Sequence, residues 1–272
     1  QFDHGYRNQL MHNIRFCLNY NFTHNNILEF AYTTSFSPNR KSFEKSLGAI
    51  NSTNLKKGNE QMHNVNIDYK SGFGLNIGMD YTYYSYPSAQ NYIHQDNDSI
   101  IENRIKANQE INRLNIYIGQ NHTLKNAWQI NYGIDYTSTK DRSNQTYTQQ
   151  WTSLNSSSRL SEQTANGYTG ISGEFNKKMS FSLSLAEEWY KLNQYRKWTF
   201  YPTFQTSYLF PNANILQLSL SSDKTYPDYW TLQNSTSFIN WYTVIKGNPD
   251  LLPSRDYTLD LIYLIKGQYM IN

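Results

Sequence analysis

The chain has 272 residues with 24 basic and 21 acidic side chains, six histidines and one cysteine. The net charge of +3 is spread along the chain with no basic stripe, which argues against a nucleic-acid partner, and a lone Cys17 allows neither an internal disulfide nor a cysteine-rich metal site. No run of about 18 apolar residues exists, which excludes a membrane-spanning helix; the mean hydropathy of -0.75 still suits a membrane β-barrel, whose strands are half polar.

Strict alternation begins at once. Ile14, Phe16, Leu18, Tyr20 and Phe22 are apolar at every second position, and Leu28, Phe30 and Tyr32 repeat the pattern after a short break. A period of two predicts strands with one oily face, here over 12–22 and 27–36. A third strand is expected near 61–70 (Val65, Ile67, Tyr69). A fourth, at 73–84, sets Phe73, Leu75, Ile77, Met79, Tyr81 and Tyr83 against Gly74, Asn76, Gly78, Asp80 and Thr82. Further strands are expected at 107–120, 126–138, 165–176, 179–190, 200–210, 214–223 and 255–265, with another beginning at 268. That makes about twelve.

The spacers divide into two kinds that alternate. Those at 23–26, 71–72, 121–125, 177–178, 211–213 and 266–267 are short. Those at 37–60, 85–106, 139–164, 191–199 and 224–254 read as longer, polar loops rich in Asn, Ser and Thr. Short turns at one end and long loops at the other fit an outer-membrane barrel, as do strands of ten residues or more. The expectation is an all-β, antiparallel, up-and-down transmembrane β-barrel with its oily face on lipid. Arg15, Asn19, Asn21, Glu29, Asn66, Asp68, Asn76, Asp80, Gln129, Asn131 and Asp135 then face a wet lumen. Tyr20, Tyr32, Tyr69, Tyr81, Tyr83, Tyr136, Tyr190 and Tyr201 stand near strand ends, where interfacial girdles form.

The last third carries a resemblance. Pro227, Tyr229 and Trp230, followed by Gly247, Asn248, Pro249, Leu251 and Pro253, match a "Pro-x-Tyr-Trp" and a "Gly-Asn-Pro-x-Leu-x-Pro" segment lying in one long loop region between late strands. With the hairpin at 166–191, this resembles the β-barrel domain of TonB-dependent outer-membrane receptors, and most of all the outer-membrane β-barrel family common in Bacteroidetes. The specific match covers roughly 166–272; before that, the hairpin rhythm supports it. The resemblance implies a signal peptide, a plug, a TonB-contacting segment and a barrel of about 22 strands. Residues 1–272 are therefore expected to be one incomplete barrel segment without a plug, an internal fragment in the bacterial outer membrane. Its implied partners are outer-membrane lipid, a nutrient ligand and, through an N-terminal region outside this sequence, the TonB complex. Catalysis and cofactors form no part of it. The alternative is a soluble aromatic-rich β module for carbohydrate binding or adhesion.

Candidate chemistry is sparse. His12, His24, His63, His94 and His122 lack metal-ligand spacing. Asp96-Asn97-Asp98 starts like a calcium loop but lacks the later Gly and Glu. Glu187 and Glu188 are adjacent, so they point to opposite faces and cannot act as a paired acid and base. Cys17 has no activating His and acid nearby. Ligand contact is assigned to aromatic residues of the long loops and their rims: Trp151, Trp198, Tyr229, Trp230 and Trp241, with Tyr147, Tyr226 and Tyr242 alongside. The same rings also suit loop packing and girdle anchoring.

Overall fold

The computed structural model describes residues 2–22, 25–47, 51–96, 99–125, 128–148, 152, 154–175, 178–238, 244–266 and 269–271. In chain order these form β1 (Phe2–Asn8), β2 (His12–Asn21), β3 (Ile27–Leu47), β4 (Asn51–Lys70), β5 (Leu75–Asp96), β6 (Ser99–Thr123), β7 (Gln129–Tyr147) and β8 (Ser156–Phe175). There follow β9 (Met179–Leu192), β10 (Tyr195–Leu209), β11 (Ile215–Thr225), a helical turn α1 (Tyr229–Leu232), β12 (Thr236–Phe238), β13 (Val244–Lys246), β14 (Ser254–Ile265) and β15 (Tyr269–Ile271).

Thirteen strands make one antiparallel sheet, ordered along the chain; β12 and β13 form a separate hairpin. Both β1 and β2 pair with β3, the first from Phe2↔Leu47 to Asn8↔Lys41 and the second from His12↔Phe36 to Asn21↔Ile27. They are thus one wall strand interrupted at 9–11. The Ser37 hydroxyl donates to the Leu10 carbonyl at 2.7 Å across the interruption, and the β3–β4 register shifts between Ser37 and Arg40. With β1 and β2 taken as one, the up-and-down meander has twelve spans. The sheet is open: among the described residues its two edges, β1–β2 and β15, do not pair with each other.

The expected long loops need correction. Most of residues 37–60, 85–106 and 139–164 lie in continuous strands, and the turns linking β3 to β4, β5 to β6 and β9 to β10 are short. The asymmetry resides in strand length, since β5 has 22 residues and β6 has 25. The oily alternation stops where the membrane stops, but the backbone ladder does not. Polar side chains on both faces are compatible with strand pairing once both faces meet water or protein. The only long connection among the described residues runs from β11 to β14.

The two faces separate as alternation requires. The outward face carries Ile134, 62% exposed, and Leu259, 69% exposed, with Ile14, Ile116, Leu183 and Leu261 also exposed. An apolar surface of this extent is unsuited to water, which counts against the soluble alternative. The inward face is hydrogen-bonded: Tyr117 donates to Asp68, Asn64 to Asp80 at 2.7 Å and Asn166 to Asp135 at 2.8 Å. Tyr190 and Tyr201 are a second correction. Both are buried and bonded to inward carboxylates, because they share parity with Glu188 or pair beside it, so they belong to no lipid-facing girdle. Cys17 is exposed, opposite Ala31.

The core lies on the inward side of the extended half. Leu160, Tyr190, Leu192 and Leu232 form it, with Tyr195, Tyr226 and Tyr229 packed against it.

Candidate functional site between the inturned loop and the wall

The β11–β14 connection folds against the inward face of β7, β8 and β9. Its two motif segments explain each other. The Asn248 amide donates to the Thr231 carbonyl at 2.6 Å and the Gly247 amide to the Ser235 carbonyl at 3.1 Å. A Cβ on Gly247 would stand 1.9 Å from the Gln233 carbonyl oxygen, so only glycine permits this approach. Asn248 also turns the chain, its side-chain oxygen accepting from the Asp250 amide at 3.0 Å. Pro227 is half-buried just before α1, Pro249 is exposed in the turn, and the Pro253 carbonyl accepts from Arg255 at 2.8 Å.

The loop is fastened to the wall at three places. Tyr229 donates to Glu162, whose other oxygen accepts from Tyr190 at 2.9 Å. Gln233 donates to Asp141 at 3.2 Å and accepts from Ser143 at 3.0 Å. Gln145, at 3.3 Å, and Tyr147 both donate to the Thr236 carbonyl. Burial lifts the Asp141 carboxyl above its ordinary value, against the opposing hydrogen bonds from Gln233 and Gln109. Burial likewise pushes the Tyr147 phenol up to about 12, with the Thr236 bond acting the other way.

Where loop and wall part, the chain stays pinned by Glu188, which is 0% exposed. Lys224 and Tyr226 donate to one of its oxygens; Tyr201 donates to the other at 3.3 Å, with the Arg255 guanidinium 3.6 Å away. Its neighbour Glu187 points outward and is exposed, as adjacent strand residues must.

Between loop and wall lies a cavity of about 210 Å³. Trp230, Tyr86, Lys56, Gln90, Gln109 and Gln145 are among its lining residues. Lys56 sits 5.4 Å and Arg40 5.7 Å from the Tyr86 ring centre, and Arg40 pairs with Glu60 at 2.7 Å. Burial, then the Arg40 charge, holds the Lys56 ammonium below its ordinary value. An indole, a phenol, amides and cations suit a polar or anionic ligand.

Of the aromatic residues singled out from the sequence, those described take different places. Trp230 is 54% exposed and lines this cavity. Tyr229 is committed to Glu162. Trp198 is 61% exposed on the outward face, directly across from Trp189, far from the loop's inward anchors in role and orientation. Tyr147 and Tyr226 are anchors. Trp151, Trp241 and Tyr242 lie outside the described residues, as do Asn97, Asp98 and His24. His63 bonds to Tyr32 at 2.8 Å and His122 to Tyr132 at 3.1 Å, and no group of three potential metal ligands occurs among the described residues. Sequence reading missed Glu162, Asp141 and Gln233, and named Glu188 beside Glu187 without its partners. For Glu188 a signal existed, its parity opposite to Leu183 and Leu185; Gln233 carries none.

A family model described as "Outer membrane protein beta-barrel family" matches residues 70–272. No curated protein matches. Among solved structures, P. aeruginosa FpvA bound to heterologous pyoverdines is 10% identical, covering 96% of this chain and 45% of its own, with a TM-score of 0.47. The copper transporter OprC is 9% identical over 95% of this chain and 51% of its own, with a TM-score of 0.44. The alcaligin outer-membrane receptor FauA from Bordetella pertussis is 9% identical over 94% and 49%, with a TM-score of 0.33. The chain spans about half the length of each. On the family match, which takes in every span from β5 onward and both loop motifs, the chain belongs to the outer membrane protein beta-barrel family and is a protein of the bacterial outer membrane.

Proposed function

We propose that the chain is wall and inturned loop of an uptake receptor that takes a nutrient across the outer membrane, driven by the TonB complex acting on a plug supplied by a region outside these 272 residues. The observation that carries the reading is the loop itself. It is fastened to the inward face of the wall by Glu162, Asp141 and Glu188, and Trp230, half exposed, lines the polar cavity between loop and wall. Of the aromatic residues considered, Trp230 is the proposed ligand contact, with Lys56 and Tyr86 opposite. No step in this role calls for bond-making, and no catalytic residue is assigned.

The test is growth on single nutrient sources. Removing the gene identifies the source that depends on it; removing TonB in the same strain should abolish uptake of that source. Trp230→Ala should leave the protein's abundance in the membrane unchanged and weaken uptake about tenfold, the effect of one lost aromatic contact. Uptake that survives without TonB sinks the proposal, and uptake indifferent to Trp230 removes the cavity from it.

A further inference from the structure

The outward face of β7–β10 is ordered along the membrane normal in a way the uptake role does not require. In register across β9 and β10 stand Leu185 opposite Pro202, Glu187 opposite Phe200, Trp189 opposite Trp198 and Lys191 opposite Arg196. Six residues of strand, about 20 Å, thus lead from an apolar level through an indole pair to two like charges. Two like charges directly opposite each other destabilise a bare sheet. The neighbouring strands continue the charge, with Arg142 opposite Arg159 and Lys140 opposite Ser161. All these cations alternate outward, and Lys140, Arg142, Arg159 and Arg196 are exposed. Among the described residues none of the five has a carboxylate partner, though Glu110 lies in register with Arg142 at the margin. The outward positions of β7–β10 beyond the aromatic level carry no acid.

Below this belt the oily face is dented. A groove of about 660 Å³ runs across the strands, with Ile118, Ile134, Gly167, Leu185 and Phe200 among its walls and the exposed Glu187 carboxylate at its headgroup end. Gly167 forms its floor: a Cβ there would meet nothing within 4 Å.

We propose that this face is a binding site for a net-anionic, phosphate-bearing membrane lipid. Its acyl chain lies in the groove over Gly167, and its phosphate is held by Lys191 and Arg196, which stand opposite each other. Lipid is the occupant because the groove opens on the face that lipid covers, the indole pair marks the interface, and the cations stand at headgroup level. Guanidinium groups pair with phosphate in a forked geometry, which offsets the like-charge cost seen in the empty sheet. The proposal rests on the outer-membrane location and not on the uptake reading.

The test is native mass spectrometry of the intact protein extracted from outer membranes into detergent. The probes are dimyristoylphosphatidylglycerol, dimyristoylphosphatidylcholine and inorganic phosphate. Phosphatidylglycerol should be retained about tenfold over phosphatidylcholine, and the double variant Lys191→Gln, Arg196→Gln should erase the difference. Gly167→Leu, which fills the groove without strain, should weaken retention while leaving the charges in place. Inorganic phosphate at millimolar concentration should displace neither lipid. Equal retention of the two lipids, an indifferent double variant, or displacement by free phosphate would each overturn the proposal. Unchanged heat-dependent gel mobility of the variants establishes that they fold.

Discussion

Glu188 shows how one residue can hold two elements. It is fully buried, yet both oxygens are taken by groups from β10, β11 and the β11–β14 connection, with Arg255 of β14 beside them. Glu188→Gln strands Lys224 and Arg255 without a counter-charge, and is expected to cost about 3–5 kcal/mol in urea unfolding from detergent micelles. Adding Lys224→Met should recover part of that loss; an additive double variant would mean that the two side chains are not coupled. Asp141 makes a prediction of opposite pH sense from an ordinary ion-paired carboxylate. Burial raises its folded-state value, so the folded chain holds the proton more tightly than the unfolded one. Its contribution is full below the ordinary carboxylate range and is lost as pH rises through the raised value. Amide exchange across 229–236 should therefore speed up with pH beyond the intrinsic dependence, and Asp141→Asn should flatten that excess.

At the scale of the element, each long strand carries two environments in series. β7 is oily on its outward face through Ile130, Tyr132, Ile134 and Tyr136, then polar outward and protein-covered inward from Thr139 to Tyr147. The same kind of substitution should thus differ by depth. Ile134→Arg is expected to cost about 2–4 kcal/mol in lipid vesicles, whereas Asn144→Arg, outward on the extension beside Arg142 and Arg159, should cost under about 1 kcal/mol. Equal costs would place the membrane boundary elsewhere. This division also explains the misjudged loops. Residues 139–147 look like a low-complexity loop because hydrophobic period is the usual sign of a strand, and here the inward partner is a loop contributed from 90 residues away, as in the Ser143–Gln233 bond. Nothing local in TKDRSNQTY announces that partner.

At the scale of the whole molecule, the described residues form one wall whose edges, β1–β2 and β15, do not pair with each other, and its behaviour should reflect that. An unpaired strand edge is a template for another chain. The 272-residue polypeptide refolded by itself in detergent should self-associate as concentration rises, read by light scattering after size exclusion. Proline at Arg15 on the edge strand β2 should reduce the association, since proline cannot donate to a new ladder. A monomer at every concentration would mean that the edges meet each other in solution.

Sequence by itself determined the wall: the class of fold, the number of spans, the tight turns at one end, and which face of each strand meets lipid. The reason is physical, because a strand's period of two is intrinsic to its backbone and lipid demands an apolar face with every backbone group paired. The two loop motifs were also legible, but as a likeness, without their purpose. Tertiary structure alone decided that Gly247 must be bare because Gln233 passes over it, that Tyr229 and Tyr190 share Glu162, and that Lys191 stands opposite Arg196 and Arg142 opposite Arg159 on the outward face. Such meetings depend on strand register and on chain returning from far along the sequence, and no local pattern encodes either.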